Sequence, residues 1–257
     1  MTLGEHLREF RRRLYICVIA VVVGMVLGWV LTPYVWDLLR EPIEHVVEKQ
    51  GTQVELNYVN VTSAFDVKLK ISFFLSVIMV SPVWLYEIWA FLTPALTRKE
   101  RKGALAFLGT AVPLFLAGCA AGWLVLPNML LLMTSFVPSE DGALLTAPDY
   151  FDFVLRLMLA VGIAFVVPVF LVLLNFVGVI SAKGILHGWR VAILTIAVFT
   201  AMATPAADLV SMFLLALPMV ALYFCAAGVA ALHDRRAAKR RAALLDPGTS
   251  LLPSDGA

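Results

Sequence analysis

Charged residues are scarce in this chain. They make up 15% of its 257 residues, whereas hydrophobic residues make up 61%; a typical soluble domain carries about 25% charged residues. The mean hydropathy is +0.90. This composition excludes an ordinary soluble enzyme, a nucleic-acid-binding module and a disordered chain. The length accommodates six spans of about 20 residues, each crossing a hydrocarbon core of ~30 Å.

Paired cysteines and catalytic motifs are also missing. The three cysteines lie in different apolar runs without CxxC spacing, so we interpret them as small apolar side chains within helices. HExxH, GxSxG and Walker A motifs do not occur, and the apolar runs contain no histidine. The sequence therefore predicts a protein that is not an enzyme, with no metal site and no cofactor.

Charge-poor stretches divide the chain into six predicted transmembrane helices, which makes it an all-α polytopic membrane protein. The predicted spans cover about 14–36, 71–91, 103–126, 153–180, 190–204 and 208–232. Pro127 and Pro138 are expected to end the third helix near Val125. The fifth span is short, about 22 Å against a core of ~30 Å. Residues 233–257 are expected to form a basic, disordered cytoplasmic tail.

The basic residues predict the orientation of these spans. Fifteen of the 20 fall on one side when the N-terminus is cytoplasmic, as the excess of Lys and Arg in cytoplasmic loops requires. Eleven of the 18 acidic residues fall on the other side. Both termini are therefore predicted to be cytoplasmic.

Two carboxylates stand within strongly basic cytoplasmic segments. Glu9 lies in HLREFRRRL, with Arg12 and Arg13 at the helical i+3 and i+4 positions. Glu100 lies in TRKERK. Each segment alone could serve only to set topology, with Glu9 supporting a helix and Glu100 neutralising its loop. A protein that needs only topology would not require the two acids.

Small residues mark possible close helix contacts. Gly24 with Gly28, and Gly118 with Gly122, form two GxxxG pairs, which allow helix backbones to approach closely. We expect them to pack within this chain; a dimer interface is the alternative.

The combined pattern carries a family resemblance. It includes residues 6–14, Pro42, Ser81, Pro82, Tyr86, residues 89–96 (WAFLTPAL), Glu100, Arg101, Pro168, Val169, Thr204, Pro205, Asp208 and residues 215–219 (LALPM). In this order along six spans, from about His6 to Leu232, these segments resemble the TatC family, the polytopic core subunit of the twin-arginine protein translocase.

The resemblance implies a function. The chain would recognise signal peptides that bear paired arginines and export folded proteins across the bacterial cytoplasmic (inner) membrane, using the proton-motive force. Its partners would be TatA-type and TatB-type single-span subunits, other TatC copies and the lipid bilayer, with no nucleic acid.

The resemblance also implies site residues. The residues matching the family's signal-peptide site are Glu9, Glu100, Arg11, Phe91 and Pro94, and Pro42 matches a structural loop position. The chemistry agrees, because a carboxylate receives a guanidinium through paired hydrogen bonds.

Four further residues fall at positions that the family associates with docking of partner helices. Thr204 and Asp208 match the family, and a capped turn is the alternative role for them. Val167 stands where the family commonly has an acidic or polar residue, and Met212 where it often has glutamine. These two departures leave the geometry of partner docking open.

Two other function classes compete with this interpretation. A small-molecule secondary transporter would favour charges at the membrane midplane or repeated halves with broken helices, and neither is visible. An intramembrane enzyme would favour histidine with serine or aspartate inside the spans. The resemblance favours a receptor and scaffold for protein export over both.

Overall fold

The computed structural model describes residues 3–50, 54–58, 60–92, 101–135, 143–204 and 208–245. The helices in these ranges are α1 (Leu3–Gln50), α2 (Ser63–Met79), α3 (Ser81–Leu92), α4 (Arg101–Ser135), α5 (Ala147–Phe176), α6 (Ala182–His187), α7 (Trp189–Ala203) and α8 (Leu209–Leu245). Two four-residue strands, β1 (Val54–Asn57) and β2 (Ala143–Thr146), pair in parallel with Val54 opposite Ala143. The helical architecture confirms the predicted fold class; the strand pair was not predicted.

Four of the described helices, α1, α4, α5 and α8, are each long and apolar enough to cross a membrane. Helices α2 and α3 satisfy the same test together, although the chain bends by 56° between them. Helix α7 is apolar but has only 15 residues. By length and composition the described helices thus supply up to five spans. The remaining predicted span, the fifth (190–204), corresponds to α7.

The bend between α2 and α3 has a local cause. Pro82 stands at the second position of α3, where its missing N–H and fixed φ are tolerated but where it cannot continue the α2 hydrogen-bond ladder. The indole N–H of Trp84 donates to the carbonyl of Val77 across the break, at 3.0 Å. The bend therefore directs α3 away from the axis of α2 and fixes the direction of its C-terminal end.

The third predicted helix does not end near Val125. Helix α4 continues through Pro127 to Ser135. Proline removes one backbone hydrogen bond but need not end a helix whose neighbouring turns are packed. Leu126 and Met129 flank this proline and are fully buried, and their packing maintains the helix.

The predicted tail is helical at its start. Helix α8 extends to Leu245, so the expectation of disorder is wrong for residues 233–245. This stretch is rich in alanine, arginine and lysine, which favour helix in the absence of glycine and proline. The rest of the predicted tail, residues 246–257, lies outside the described part of the chain.

Helices α4 and α5 pack closely over glycine. A Cβ atom added to Gly118 would lie 2.8 Å from the Cα of Gly162, and one added to Gly122 would lie 3.1 Å from the Cα of Met158. Phe115 and Cys119 fill the space beside Gly162. The Gly118–Gly122 pair thus packs within the chain, as predicted.

Helices α1 and α2 pack closely through glycine and hydroxyl groups. A Cβ atom on Gly28 would meet the carbonyl oxygen of Ser72 at 2.5 Å. The hydroxyl of Thr32 lies 2.9 Å from that of Ser72, and the hydroxyl of Ser76 donates to the carbonyl of Val21 at 2.6 Å. Hydrogen bonds of this kind join helices in an apolar environment. They fix α1 against α2 and set where its N-terminal end lies.

The far end of α1 is held by α5. The Tyr150 hydroxyl donates to the carbonyl of Leu39 at 2.7 Å. The expectation that Pro42 lies in a loop is wrong, because Pro42 is buried within α1, which continues to Gln50. The core at this end is formed by Leu39, Val67, Ile71, Met129 and Phe151 from four helices. Both ends of α1 are therefore tied to other helices, while most of its middle remains exposed to the surroundings.

Candidate functional site

An arginine on α1 joins two carboxylates at the N-terminal end of that helix. The Arg13 Nη2 atom lies 2.6 Å from Glu9 Oε1, and its Nη1 atom lies 2.8 Å from Glu87 Oε2. Glu9 is one helical turn before Arg13, while Glu87 belongs to α3. We call Glu9, Arg13 and Glu87 the carboxylate–arginine cluster. The cluster connects the N-terminal end of α1 to the C-terminal end of α3.

Burial differs across the cluster. The Glu9 side chain is 37% exposed, that of Arg13 is 21% exposed and that of Glu87 is 11% exposed. The Nε atom of Arg13 is buried and has no hydrogen-bond partner among the described residues. The Arg13–Glu87 pair therefore forms the buried base of the cluster, and Glu9 is its solvent-accessible carboxylate.

Aromatic side chains lie beside the cluster. Phe91 stacks on His6 with ring centroids 4.5 Å apart, and the Phe10 ring contacts the Phe91 ring with centroids 5.5 Å apart. Phe10 is 49% exposed, so the apolar surface next to Glu9 is open. The site combines an accessible carboxylate with exposed aromatic rings, which suits a peptide carrying both guanidinium groups and apolar side chains.

The structure brings together part of the predicted signal-peptide site. Glu9 and Phe91 lie at the same helix ends, and Arg11 is exposed on α1 between Glu9 and Arg13. Pro94 and Glu100 fall in residues 93–100, outside the described part of the chain. Among the described residues no group of three His, Cys, Asp or Glu side chains could hold a metal ion.

Neither the role of Glu87 nor the bridging position of Arg13 was predicted from the sequence. One signal was available, because Glu87 is the single charged residue within the predicted second span. A buried carboxylate is normally paired, so a basic partner from another helix could have been sought. Which of the neighbouring arginines supplies it depends on how α1 packs against α3.

The residues predicted for partner docking lie in two places. Thr204 ends α7 with its hydroxyl donating to the carbonyl of Thr200 at 2.9 Å, and Asp208 precedes α8. The Asp208 Oδ1 atom accepts the backbone N–H of Ser211 at 2.9 Å, and the carbonyl of Asp208 accepts that of Met212 at 3.1 Å. This is the geometry of a helix N-cap. The N-cap that the sequence suggested for Asp208 is therefore present, while residues 205–207 lie outside the described part of the chain.

Val167 lies apart from that turn, in the middle of α5. It is 51% exposed and lines two adjoining apolar grooves. One groove, of about 610 Å³, runs between α5 and the helices α1, α2 and α3; the other, of about 320 Å³, runs between α5, α7 and α8. Any helix that docks over Val167 would make apolar contacts there.

Comparison with known families gives one match over most of the chain. Residues 5–218 match the family model for the Sec-independent protein translocase protein TatC. The TatC protein of Xylanimonas cellulosilytica is 46% identical over 94% of this chain and 88% of its own length. The TatC protein of Rothia mucilaginosa is 34% identical over 95% of this chain and 84% of its own length.

Solved structures are also similar. The crystal structure of the twin arginine translocase receptor TatC in DDM superimposes with a TM-score of 0.74 at 30% sequence identity. The alignment covers 88% of this chain and 99% of that one. The likeness therefore extends over the α1–α8 arrangement and is not restricted to one helix pair.

Proposed function

Because this chain belongs to the TatC family of Sec-independent protein translocase proteins, we propose that it is a receptor for twin-arginine signal peptides and the core scaffold of their export complex. In this proposal it carries out no catalysis. It works with TatA-type and TatB-type single-span subunits and with further copies of itself. The proton-motive force drives the transport of folded cargo.

The juxtaposition of Glu9 with Phe91 at adjoining helix ends is the observation that carries the proposal. Glu9 is an accessible carboxylate, and Phe91 is the penultimate residue of α3, close to residues 93–100, which contain Pro94 and Glu100. We assign Glu9 and Glu100 as the two acceptors of the arginine pair. Phe10 and Phe91 supply the apolar surface beside them, and Arg11 adds positive charge that discourages unspecific cations.

Energetics favour such a site only if it is partly desolvated. An exposed ion pair contributes less than ~1 kcal/mol, whereas a charge-assisted hydrogen bond in a partly buried site contributes ~1.5–3 kcal/mol. In this proposal the bound peptide completes the desolvation, because it covers Glu9 together with the exposed Phe10 ring. Loss of one carboxylate should then weaken peptide binding by about 10-fold or more, since 1.4 kcal/mol is a factor of ten.

The test is a binding titration with the detergent-solubilised full chain. A labelled twin-arginine peptide and its twin-lysine counterpart are titrated against wild type and the variants Glu9→Gln, Glu9→Lys, Glu100→Gln and Glu100→Lys. We expect the glutamine variants to lose at least about 10-fold in affinity and the lysine variants to lose more, since a like charge then faces the guanidinium. The twin-lysine peptide should bind more weakly than the twin-arginine peptide to wild type.

Glu41→Gln is the matched control. Glu41 is an exposed carboxylate on the same helix, near its other end, so its neutralisation changes net charge equally without touching the site. If both Glu9→Gln and Glu100→Gln bind the twin-arginine peptide as wild type does, the assignment is wrong. An equal loss of affinity in Glu41→Gln would mean that the change in net charge alone causes the effect.

The proposed location is the bacterial cytoplasmic membrane, with both termini in the cytoplasm. The orientation is supported by the distribution of basic residues, 15 of 20 of which fall on the side of the termini. In this orientation the carboxylate–arginine cluster faces the cytoplasm, where newly made signal peptides are available. Partner helices would dock near Thr204, Asp208, Met212 and Val167.

A further inference from the structure

Glu9 is engaged by a guanidinium of the protein itself. The Nη2 atom of Arg13 lies 2.6 Å from the Glu9 carboxylate, so the group that is proposed to receive a ligand arginine already holds an arginine. A ligand guanidinium must therefore share this carboxylate with Arg13 or displace it. Arg13 and the ligand both offer a guanidinium group, so the two compete for the same carboxylate.

The second contact of Arg13 decides how strongly it competes. Its Nη1 atom lies 2.8 Å from Glu87, a residue that is only 8% exposed. Separation of this pair would leave a buried carboxylate without a partner, which is far more costly than the loss of a solvent-exposed contact. The contact between Arg13 and Glu9 is therefore the one that can exchange.

We propose that Arg13 is an internal competitor for the signal-peptide site and that Glu87 is a positioning residue that weakens this competition. Glu87 holds one arm of the Arg13 guanidinium, so that Glu9 receives a single hydrogen bond and keeps lone pairs for a ligand. Without Glu87, both arms of Arg13 can turn to Glu9 and form a bidentate pair. This inference depends on the proposed function, because it concerns the same binding site.

The proposal predicts opposite effects from two changes around Arg13. Glu87→Gln keeps the size of the side chain but removes its charge, so Arg13 binds Glu9 more tightly. The affinity for a twin-arginine peptide should fall by about tenfold, the factor that 1.4 kcal/mol represents. The double change Arg13→Gln with Glu87→Gln removes both the competing guanidinium and the carboxylate that holds it. The affinity for the twin-arginine peptide should then return to the wild-type value or exceed it.

The experiment is a peptide titration of the solubilised full chain, with wild type, Glu87→Gln, Arg13→Gln/Glu87→Gln and Glu9→Gln measured side by side. Ser76→Ala is the structural control, because Ser76 also joins α1 to another helix but lies away from the cluster. Thermal unfolding of each variant shows that the fold is retained. A purely structural role for Glu87 would lower binding in Glu87→Gln and lower it at least as much in the double variant.

The outcomes separate this inference from the proposed function. Weaker binding in Glu87→Gln that is restored in the double variant supports the competition. Unchanged binding in Glu87→Gln, or no restoration, contradicts it while leaving the proposed function intact if Glu9→Gln loses affinity. Unchanged binding in Glu9→Gln contradicts the proposed function itself.

Arg13→Lys gives a second test if Glu87→Gln fails to insert. A lysine at position 13 cannot hold both carboxylates as the Arg13 guanidinium does, so we expect the peptide affinity to change. An unchanged affinity overturns the proposal.

Discussion

Single polar side chains at helix ends determine much of the local geometry of this protein. Asp208 caps α8 by accepting the N–H of Ser211, although its Oδ2 atom is buried and without a hydrogen-bond partner among the described residues. The cap satisfies one of the backbone N–H groups that every helix start leaves unpaired. Thr204 and Asp208 lie on either side of residues 205–207, which connect α7 to α8.

Replacement of this cap should lower the stability of the protein. We expect Asp208→Ala to reduce the free energy of unfolding by about 0.5–2 kcal/mol and Asp208→Asn to retain most of it, because asparagine also caps helices. Thermal unfolding in detergent measures both. An alanine variant as stable as wild type would contradict the capping role.

The asparagine variant also separates capping from partner docking. It keeps an N-cap but lacks the charge of Asp208. Co-purification of single-span subunits with this variant would leave Asp208 as a cap, and loss of those subunits from a stably folded variant would assign it a docking role.

At the residue scale, the sequence could predict contacts within one helix but not between helices. Glu9 and Arg13 are four residues apart, and their pairing follows from helix geometry. Glu87 lies 74 residues from Arg13, and its role depends on the packing of α1 against α3. The same limit applies to the stacking of His6 on Phe91.

At the scale of helices, close packing over glycine holds the α4–α5 pair. A methyl group on Gly118 would clash with backbone atoms of Val161 and Gly162 at 2.8 Å. Backbone atoms cannot move aside as a flexible side chain can, so overpacking at this position should cost about 1–3 kcal/mol.

We therefore expect Gly118→Ala to lower the unfolding temperature in detergent. Gly228→Ala is the matched control, because a Cβ atom there would have no neighbour within 4 Å and alanine favours helix over glycine by about 1 kcal/mol. The control should be as stable as wild type or more so. Equal behaviour of the two variants would contradict the close α4–α5 contact.

The positions of helices were more predictable than their ends. Apolar runs indicated each long helix, because a buried or lipid-facing helix needs continuous hydrophobic sequence. The predicted ends of α1, α4 and α8 were wrong. Helix α1 continues through Pro42 to Gln50, packing around Leu126 and Met129 maintains α4 at Pro127, and the basic stretch after residue 232 continues α8. The strands β1 and β2 pair residues far apart in sequence, which local patterns do not reveal.

At the scale of the whole molecule, the family and the polytopic fold were predictable, because many short matching segments occur in one order along the apolar runs. The orientation in the membrane stays a prediction that the asymmetry of basic residues supports. In the proposed function, it determines which end of the helices meets the signal peptide.

Cysteine labelling tests this orientation. In a variant with Cys17, Cys119 and Cys225 replaced by alanine, we expect an impermeant reagent added to intact cells to label cysteines at positions 57 and 149. Cysteines at positions 4 and 239 should react only after the membrane is opened, because the proposed topology places them on the cytoplasmic side. The reverse labelling pattern would contradict the proposed topology.

The central claim, that the N-terminal end of α1 and the C-terminal end of α3 bind the arginine pair, can be tested most directly by photocrosslinking. A photoreactive phenylalanine analogue replaces Phe10, which lies beside Glu9 and is 49% exposed, and a second version carries it at Tyr34, which is 76% exposed near the far end of the first predicted span. We predict crosslinking of a twin-arginine peptide at position 10 and none at position 34. The position-10 crosslink should decrease strongly with a twin-lysine peptide and in Glu9→Gln. A crosslink at position 10 that is equally strong in Glu9→Gln, or a peptide captured at position 34 instead, would contradict the account.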